Sequence, residues 1–298
     1  MGLSSSKDMA VCLIIFNPVK SKRIIMNYLY IVNQFQLKKI PVFTLELVFK
    51  NREPEIPSAF HVRGDSFMFH KERMCRILET KVPSKYKKLL FIDGDVLFTN
   101  DSWYSDISKL LDKYDVVQPF ESCEWLDLTY TNVTLIRKTV LHMKEPLWNY
   151  NYHPGFGWAF RREWYRKVGF FDWAISGSGD TLSSAGWLKK SFPKIFKSLP
   201  TSLKPAYSEF TTKPVPRITY YKKGNIQHLY HGSKTNRQYV ERHKIIDNEP
   251  DIRKLIKINK DGIYEWINKD KWTPLFLDYF QSRIDDDVSD LAYKGHTS

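Results

Sequence analysis

Three cysteines, Cys12, Cys75 and Cys123, stand among 298 residues with no metal-ligand spacing between them. Their odd number argues against a disulfide framework, and their scatter excludes a zinc finger. The chain has no apolar stretch long enough to cross a bilayer and no secretory signal peptide, so a cytosolic protein is expected. Internal repeats and low-complexity tracts are missing too, which removes solenoids and fibrous assemblies. Without a compact arginine-rich arm or an aromatic nucleic-acid-binding signature, no specific nucleic-acid partner is expected.

Positive charge, by contrast, is abundant. The formal net charge is +13, in separate groups at Lys20-Ser21-Lys22-Arg23, Lys85 to Lys88, Arg161-Arg162 and Lys222-Lys223. Such an excess attracts anions, among them a nucleotide diphosphate or an acidic membrane surface. Its scatter reads mostly as solvated surface. A 42% hydrophobic and 15% aromatic content excludes general disorder. The length suffices for one large α/β domain or two modest ones. Most of the nine tryptophans and 17 tyrosines read as core, although carbohydrate sites often stack sugars on aromatic faces. Met1-Gly2-Leu3-Ser4-Ser5-Ser6-Lys7 fits the N-myristoylation pattern, with Gly2 as acceptor. An ordinary flexible leader over residues 1–8 fits the same residues. One acyl chain binds membrane marginally, and basic residues would add a second, peripheral attraction.

Along the chain, Ala10 to Phe16 reads as a strand, and Ile25, Tyr28, Leu29, Val32 and Phe35 repeat at helical spacing. Pro41 to Phe49 reads as a second strand. Met74, Ile77 and Leu78 mark a second helix, and Leu89-Leu90-Phe91-Ile92 a third strand. Ile107, Leu110, Leu111 and Tyr114 mark another helix, capped by Asp101 or Ser102, and Val116 to Phe120 another strand. This alternation predicts an α/β fold with a mostly parallel central sheet. Cys123 to Leu188 is less regular. Pro193 to Pro216 carries five prolines and reads as an ordered loop or lid. Short strands are expected at Ile218 to Tyr221 and Ile226 to Tyr230, then a turn at Asp261-Gly262 and a last helix bearing Leu275, Phe276, Tyr279 and Phe280.

Chemistry concentrates at Asp93-Gly94-Asp95, which interrupts the apolar runs on either side. Two carboxylates separated by glycine at the end of a buried strand make a hard-oxygen site for a divalent cation. Glycine there lets a diphosphate approach the backbone. Phosphatases of the haloacid-dehalogenase type also use Asp-x-Asp after an apolar strand. That family places it on its first strand, whereas here two strand-helix units precede it.

Three further clusters follow. In Pro154-Gly155-Phe156-Gly157-Trp158 the glycines and tryptophan suit either a flat sugar ring against the backbone or a tightly packed strand-to-helix corner. Ser176-Gly177-Ser178-Gly179-Asp180 delivers a carboxylate at a helix start, as a general base or as the N-cap of Thr181 to Lys190. In His228-Leu229-Tyr230-His231-Gly232-Ser233-Lys234, a strand continuing to His231 would point the two histidines to opposite faces. One imidazole could then complete a metal shell, and Lys234 could reach a phosphate oxygen.

Together these segments resemble the GT-A-fold, Asp-x-Asp-containing nucleotide-sugar glycosyltransferases of the soluble bacterial, phage and large-virus type. The resemblance rests on Phe16-Asn17-Pro18, Lys71-Glu72-Arg73, Ile92 to Phe98, Gly155 to Glu163, Ser178-Gly179-Asp180, His231-Gly232 with Asn236-Arg237-Gln238-Tyr239, and Asp261 to Trp266. It implies Rossmann-like architecture with helices on both sheet faces. Residues 9–122 would bind the nucleotide sugar, and 123–298 would supply the acceptor-binding and metal-completing part of the same domain. It further implies a UDP-sugar donor, with Asn17, Lys71, Asp93 and Lys234 near the nucleotide. Mn2+ or Mg2+ would be held by Asp93, Asp95 and His231, with Asp95 direct and Asp93 acting through ribose or water. Asp180 would be the base of an inverting transfer to a hydroxyl acceptor. The family often carries a Glu-Asp pair where this chain has Gly179-Asp180. The other readings are the phosphatase and a non-catalytic basic protein associated with membrane or nucleic acid.

Overall fold

Strand β1 (Met9–Ile15) is apolar on both sides, which is the pattern of a strand sandwiched between helical layers. Ala10 and Cys12 pack into one hydrophobic core, and Met9, Val11 and Leu13 into another on the opposite face. The computed structural model describes residues 7–143, 151–192 and 199–287. Gly2 and Ser6, and the first residues of the proline-rich segment, lie outside them.

Strand β1 leads through helix α1 (Lys22–Leu37) to β2 (Val42–Phe49) and its parallel neighbour β3 (Phe60–Gly64). Helix α2 (Lys71–Lys81) precedes β4 (Lys88–Ile92), which pairs parallel to β1 on its other side. The chain then forms β5 (Val96–Phe98), α3 (Trp103–Leu110) and β6 (Val116–Gln118). Next come β7 (Ser122–Leu126), β8 (Val133–Thr139), β9 (Tyr152–His153) and β10 (Gly157–Arg161). Helices α4 (Arg162–Lys167), α5 (Gly179–Trp187) and α6 (Lys204–Phe210) precede β11 (Ile218–Tyr220) and β12 (Asn225–His228). A hairpin, β13 (Ile256–Ile258) and β14 (Tyr264–Trp266), leads to α7 (Lys269–Ser282).

The main sheet has seven strands in the order β11-β6-β10-β4-β1-β2-β3, all parallel except β10. The expected mixed α/β fold with a mostly parallel sheet is what forms. Tyr28, Ile31 and Phe35 of α1 and Trp103 and Ile107 of α3 cover one face. Met74, Cys75 and Leu78 of α2, Leu182 and Ala185 of α5, and Phe276 and Phe280 of α7 cover the other. Leu29, expected on the buried stripe of α1, faces solvent instead. The Ser21 hydroxyl caps α1 by accepting from the Ile24 amide. Asp286 accepts from the Lys22 and Arg23 amides, so the far end of the chain satisfies donors that a helix start leaves open.

A second sheet, β5-β12-β7-β8-β9, is built largely from the stretch that reads as irregular. The two strands flanking Lys223-Gly224-Asn225 go to different sheets, β11 to the first and β12 to the second. The proline-rich segment also differs from expectation. Lys204–Phe210 is helical, because Pro205 sits in the first turn where its missing N–H costs nothing. Its Ala206, Tyr207 and Phe210 enter the core rather than forming a lid.

Arg162 departs from the solvated surface expected of its basic pair. It is 5% exposed, and its guanidinium donates to the Glu79 carboxylate and to the carbonyls of Glu79, Val82, Pro83 and Tyr86. One side chain thus satisfies the open carbonyls at the end of α2. Among the described residues, no helix is long and apolar enough to cross a membrane.

Candidate active site

Asp93-Gly94-Asp95 is the corner at which the chain leaves β4 of the first sheet and enters β5 of the second. The corner is pinned at both ends. The Asp93 amide donates to the Phe156 carbonyl at 2.9 Å, and the Leu229 amide donates to the Asp95 carbonyl at 2.8 Å. Both carboxylates therefore open onto a cavity of about 430 Å3 at the carboxyl ends of the parallel strands, where α/β sheets bind ligands.

Beside Asp95 stand two histidines. Its Oδ2 lies 3.0 Å from His231 Nε2 and 3.5 Å from His228 Nε2, and the two nitrogens are 2.7 Å apart. The expectation of opposite faces fails because β12 ends at His228. Leu229 and Tyr230 make the turn into buried positions, and His231 swings back to the same side. His228 is thus a candidate ligand that strand parity hid. Asp95 Oδ1 and the Nδ1 atoms of both histidines are buried with no hydrogen-bond partner among the described residues. Burial pushes the Asp95 carboxyl up, but the charge and hydrogen bond of His228, with Arg237 and Lys71, outweigh it and hold it below the ordinary range. One carboxylate and two imidazoles converging in this way fit a divalent transition metal.

Asp93 faces the other way. Its Oδ1 lies 2.7 Å from Lys71 Nζ, and Lys71 is also 3.2 Å from Asp180 Oδ2. Burial, together with the charges of Asp180 and Asp95, raises Asp93 to about 7 although Lys71 opposes the rise. Burial works against the charge on Lys71, but Asp180, then Asp93 and Glu72, hold it well above the ordinary lysine range. Lys71 therefore lies in the cavity as a bridge between two carboxylates.

Asp180 is the second residue of α5, whose N-cap is Ser178. The capping role expected of Asp180 falls away, and its carboxylate is left for the cavity. The loop before it is strapped in place. His243 sits between the Ser176 hydroxyl, 2.8 Å from Nδ1, and the Ser178 hydroxyl, 3.0 Å from Nε2. Arg242 packs against Gly177, whose φ of +95° and missing Cβ both suit glycine. Burial and the charge of Arg242 push His243 down to about 3, so the strap is neutral at ordinary pH.

Trp158 is a core residue. It is fully buried, donates to the Pro154 carbonyl and packs edge-on against Trp187, so the strand-to-helix corner describes its segment. The tryptophan that lines the cavity is Trp125 of β7. Lys234 Nζ stands 4.9 Å and Arg137 Cζ 5.3 Å from its ring centroid. Burial, then the nearby Arg137 charge, pushes Lys234 down to about 8. Lys234, Arg137 and Arg237 give this end of the cavity a positive lining. Asn17 is not among the lining residues. Its side chain holds the turn between β1 and α1, donating to the Ser21 carbonyl and to Glu55 and accepting from the Ser21 amide.

No family model and no curated protein matches the chain. Solved structures do match. One is a mutant Drosophila β1,4-galactosyltransferase 7 in complex with manganese, UDP-Gal and xylobiose, at 12% identity and a TM-score of 0.42, over 90% of this chain and 98% of that one. Another is GalNAc-T7 with UDP, GalNAc and Mn2+, at 12% identity and 0.43, over 81% of this chain and 48% of that one. A third is a putative nucleotide-diphospho-sugar transferase from Desulfovibrio desulfuricans G20, at 11% identity and 0.33, over 83% and 97%. At such identities and TM-scores the likeness is remote and says nothing of this chain's donor or acceptor.

Proposed function

We propose that the chain is a metal-dependent glycosyltransferase that moves a sugar from a UDP-sugar to an acceptor hydroxyl with inversion. The observation that carries the reading is the convergence of Asp95 Oδ2, His228 Nε2 and His231 Nε2 at the mouth of β4, in the same cavity as Asp180. Those three side chains would hold Mn2+, for which two imidazoles are better ligands than for Mg2+. A cation bound there supplies positive charge against a departing diphosphate.

The chain's own groups account for the remaining steps. Lys234, Arg137 and Arg237 draw the diphosphate to the basic end of the cavity. The Trp125 ring, packed under Lys234 and Arg137, borders it. Lys71 fixes Asp180 and Asp93 in one arrangement. The Asp180 carboxylate takes the proton of the acceptor hydroxyl as that oxygen bonds to the anomeric carbon and the bond from that carbon to the phosphate oxygen breaks, releasing UDP.

The testing experiment is a screen of nucleotide sugars for Mn2+-dependent release of free nucleotide by the full chain and by Asp95→Asn. Release by the parent and loss in a folded Asp95→Asn support the reading, and full retention of activity in the variant refutes it. Hydrolysis of p-nitrophenyl phosphate without any sugar donor favours a phosphatase. Salt-sensitive binding to acidic vesicles or polyanions, with no nucleotide binding, favours a non-catalytic protein.

A further inference from the structure

In the same cavity, one lysine faces three carboxylates. Lys71 is paired with Asp93 and Asp180, and Glu72 of α2 lines the same floor. Glu72 is only 6% exposed. Among the described residues no hydrogen bond or ion pair from another residue reaches its carboxylate. Burial and Asp180 outweigh the Lys71 charge and its own backbone amide, which favour the ionised form, and the group is admitted by a specific vacancy in the neighbouring helix. A Cβ placed on Gly179 would stand 2.1 Å from Glu72 Cδ, 2.2 Å from Oε1 and 2.6 Å from Oε2. The carboxylate occupies the volume that any side chain at position 179 would need. It thereby lies next to Asp180, whose charge adds to burial in raising Glu72 to about 8.

The structure assigns Glu72 as an acceptor-binding residue. We propose that its carboxyl group takes a hydrogen bond from a second hydroxyl of the acceptor while Asp180 takes the proton of the reacting one. The floor has oxygen acceptors from three carboxyl groups and, besides the Lys71 ammonium, only such protons as Glu72 and Asp93 retain to donate to them, so acceptors outnumber donors. Neighbouring hydroxyls of a neutral saccharide supply donors at about the right spacing, whereas an acceptor carrying phosphate or carboxylate would meet like charge. The acceptor-rich floor around Lys71 thus suits an uncharged, polyhydroxylated acceptor, while Lys234, Arg137 and Arg237 serve the diphosphate. This inference rests on the glycosyltransferase reading.

The test uses the full chain with Mn2+ and UDP-sugar, water as the minimal acceptor and a panel of methyl glycosides as saccharide acceptors. Measured above about pH 8, where Glu72 is ionised, Glu72→Gln should raise the KM for an accepted glycoside about tenfold or more, the loss of a hydrogen bond to a charged group. UDP affinity should be unchanged, and Glu72→Asp should restore part of the difference. Gly179→Ala, which evicts the Glu72 carboxylate, should reproduce the defect even where Glu72→Gln folds poorly. Adding Gly179→Ala to Glu72→Ala should then cost nothing further. An unchanged glycoside KM in both single variants overturns the assignment, and so does parallel loss of UDP binding. Failure of the parent to use any glycoside while it hydrolyses donor also overturns it. If the parent binds no nucleotide, the glycosyltransferase reading itself fails.

Discussion

His231 Nε2 lies 2.7 Å from His228 Nε2, and both face Asp95 Oδ2. Two imidazole nitrogens at that distance share one proton or one cation, and the carboxylate beside them stabilises either positive charge. The set is richer in nitrogen than magnesium tolerates. Mn2+ should therefore bind the chain, alone and with UDP, at least about tenfold more tightly than Mg2+. His228→Ala and His231→Ala should each weaken Mn2+ binding by a further factor of about ten or more. Titration calorimetry with each metal measures this. Equal affinity for the two metals, or a His228→Ala variant with unaltered Mn2+ binding, counts against the site.

What the chain made legible depended on the range of the contacts involved. Strands β1 and β4 announce themselves through unbroken apolar runs, helices α1 and α2 through helical spacing, and Asp93-Gly94-Asp95 through its break in an apolar run. The second sheet does not. Strand β8 exposes most of its residues and pairs with β7 and β9, so it has no strong inward face of its own. His228 was hidden because β12 ends at that residue, whereas the alternation reading carries the strand on to His231. Glu72 was hidden more deeply. The reason for glycine at 179 is a side chain on α2, a contact that no local pattern reports. The contrast between Trp158 and Trp125 has the same origin, since composition cannot say which ring borders the cavity and which meets Trp187.

Asp180 should separate proton transfer from binding. Asp180→Asn keeps the size of the side chain and removes the proposed base. Transfer should fall by about two to four orders of magnitude, while the Kd for UDP with Mn2+ changes little. Lys71 then has one carboxylate fewer to bridge, so some loss of thermal stability should accompany the change. Steady-state transfer assays and calorimetry on the same preparation distinguish these effects. A variant that transfers at the parental rate assigns the base elsewhere, or points to a retaining reaction.

Lys234 gives the donor site a pH signature. Burial and Arg137 push it down to about 8, so the free protein loses this ammonium as pH rises through that value. A bound diphosphate favours the charged form, and UDP affinity should be greatest below about pH 8 and decline above it. Between about pH 7 and about pH 9 the Kd should rise several-fold, and Lys234→Met should flatten the profile while binding weakly throughout. Fluorescence titration with UDP at fixed Mn2+ follows this directly. A parental profile that is already flat removes Lys234 from the diphosphate site.

Arg162 tests the frame that positions the cavity. Its guanidinium spans the Glu79 carboxylate and four backbone carbonyls at the end of α2, the helix that carries Lys71 and Glu72 at its other end. Lysine retains the charge but offers a single nitrogen with three donors, too few for five acceptors spread around a plane. Arg162→Lys should therefore destabilise the chain although charge is conserved, and Arg162→Met more so, because Glu79 is then left buried beside Arg166 alone. The expected loss for Arg162→Met is about 3–5 kcal/mol, the range for breaking a buried pair on one side. Urea denaturation reads the loss. Binding of Mn2+ and UDP to the folded fraction should stay close to that of the parent, because Arg162 does not line the cavity. If Arg162→Lys unfolds at the parental urea midpoint, the carbonyls at the end of α2 find other donors and the helix is not held from this side.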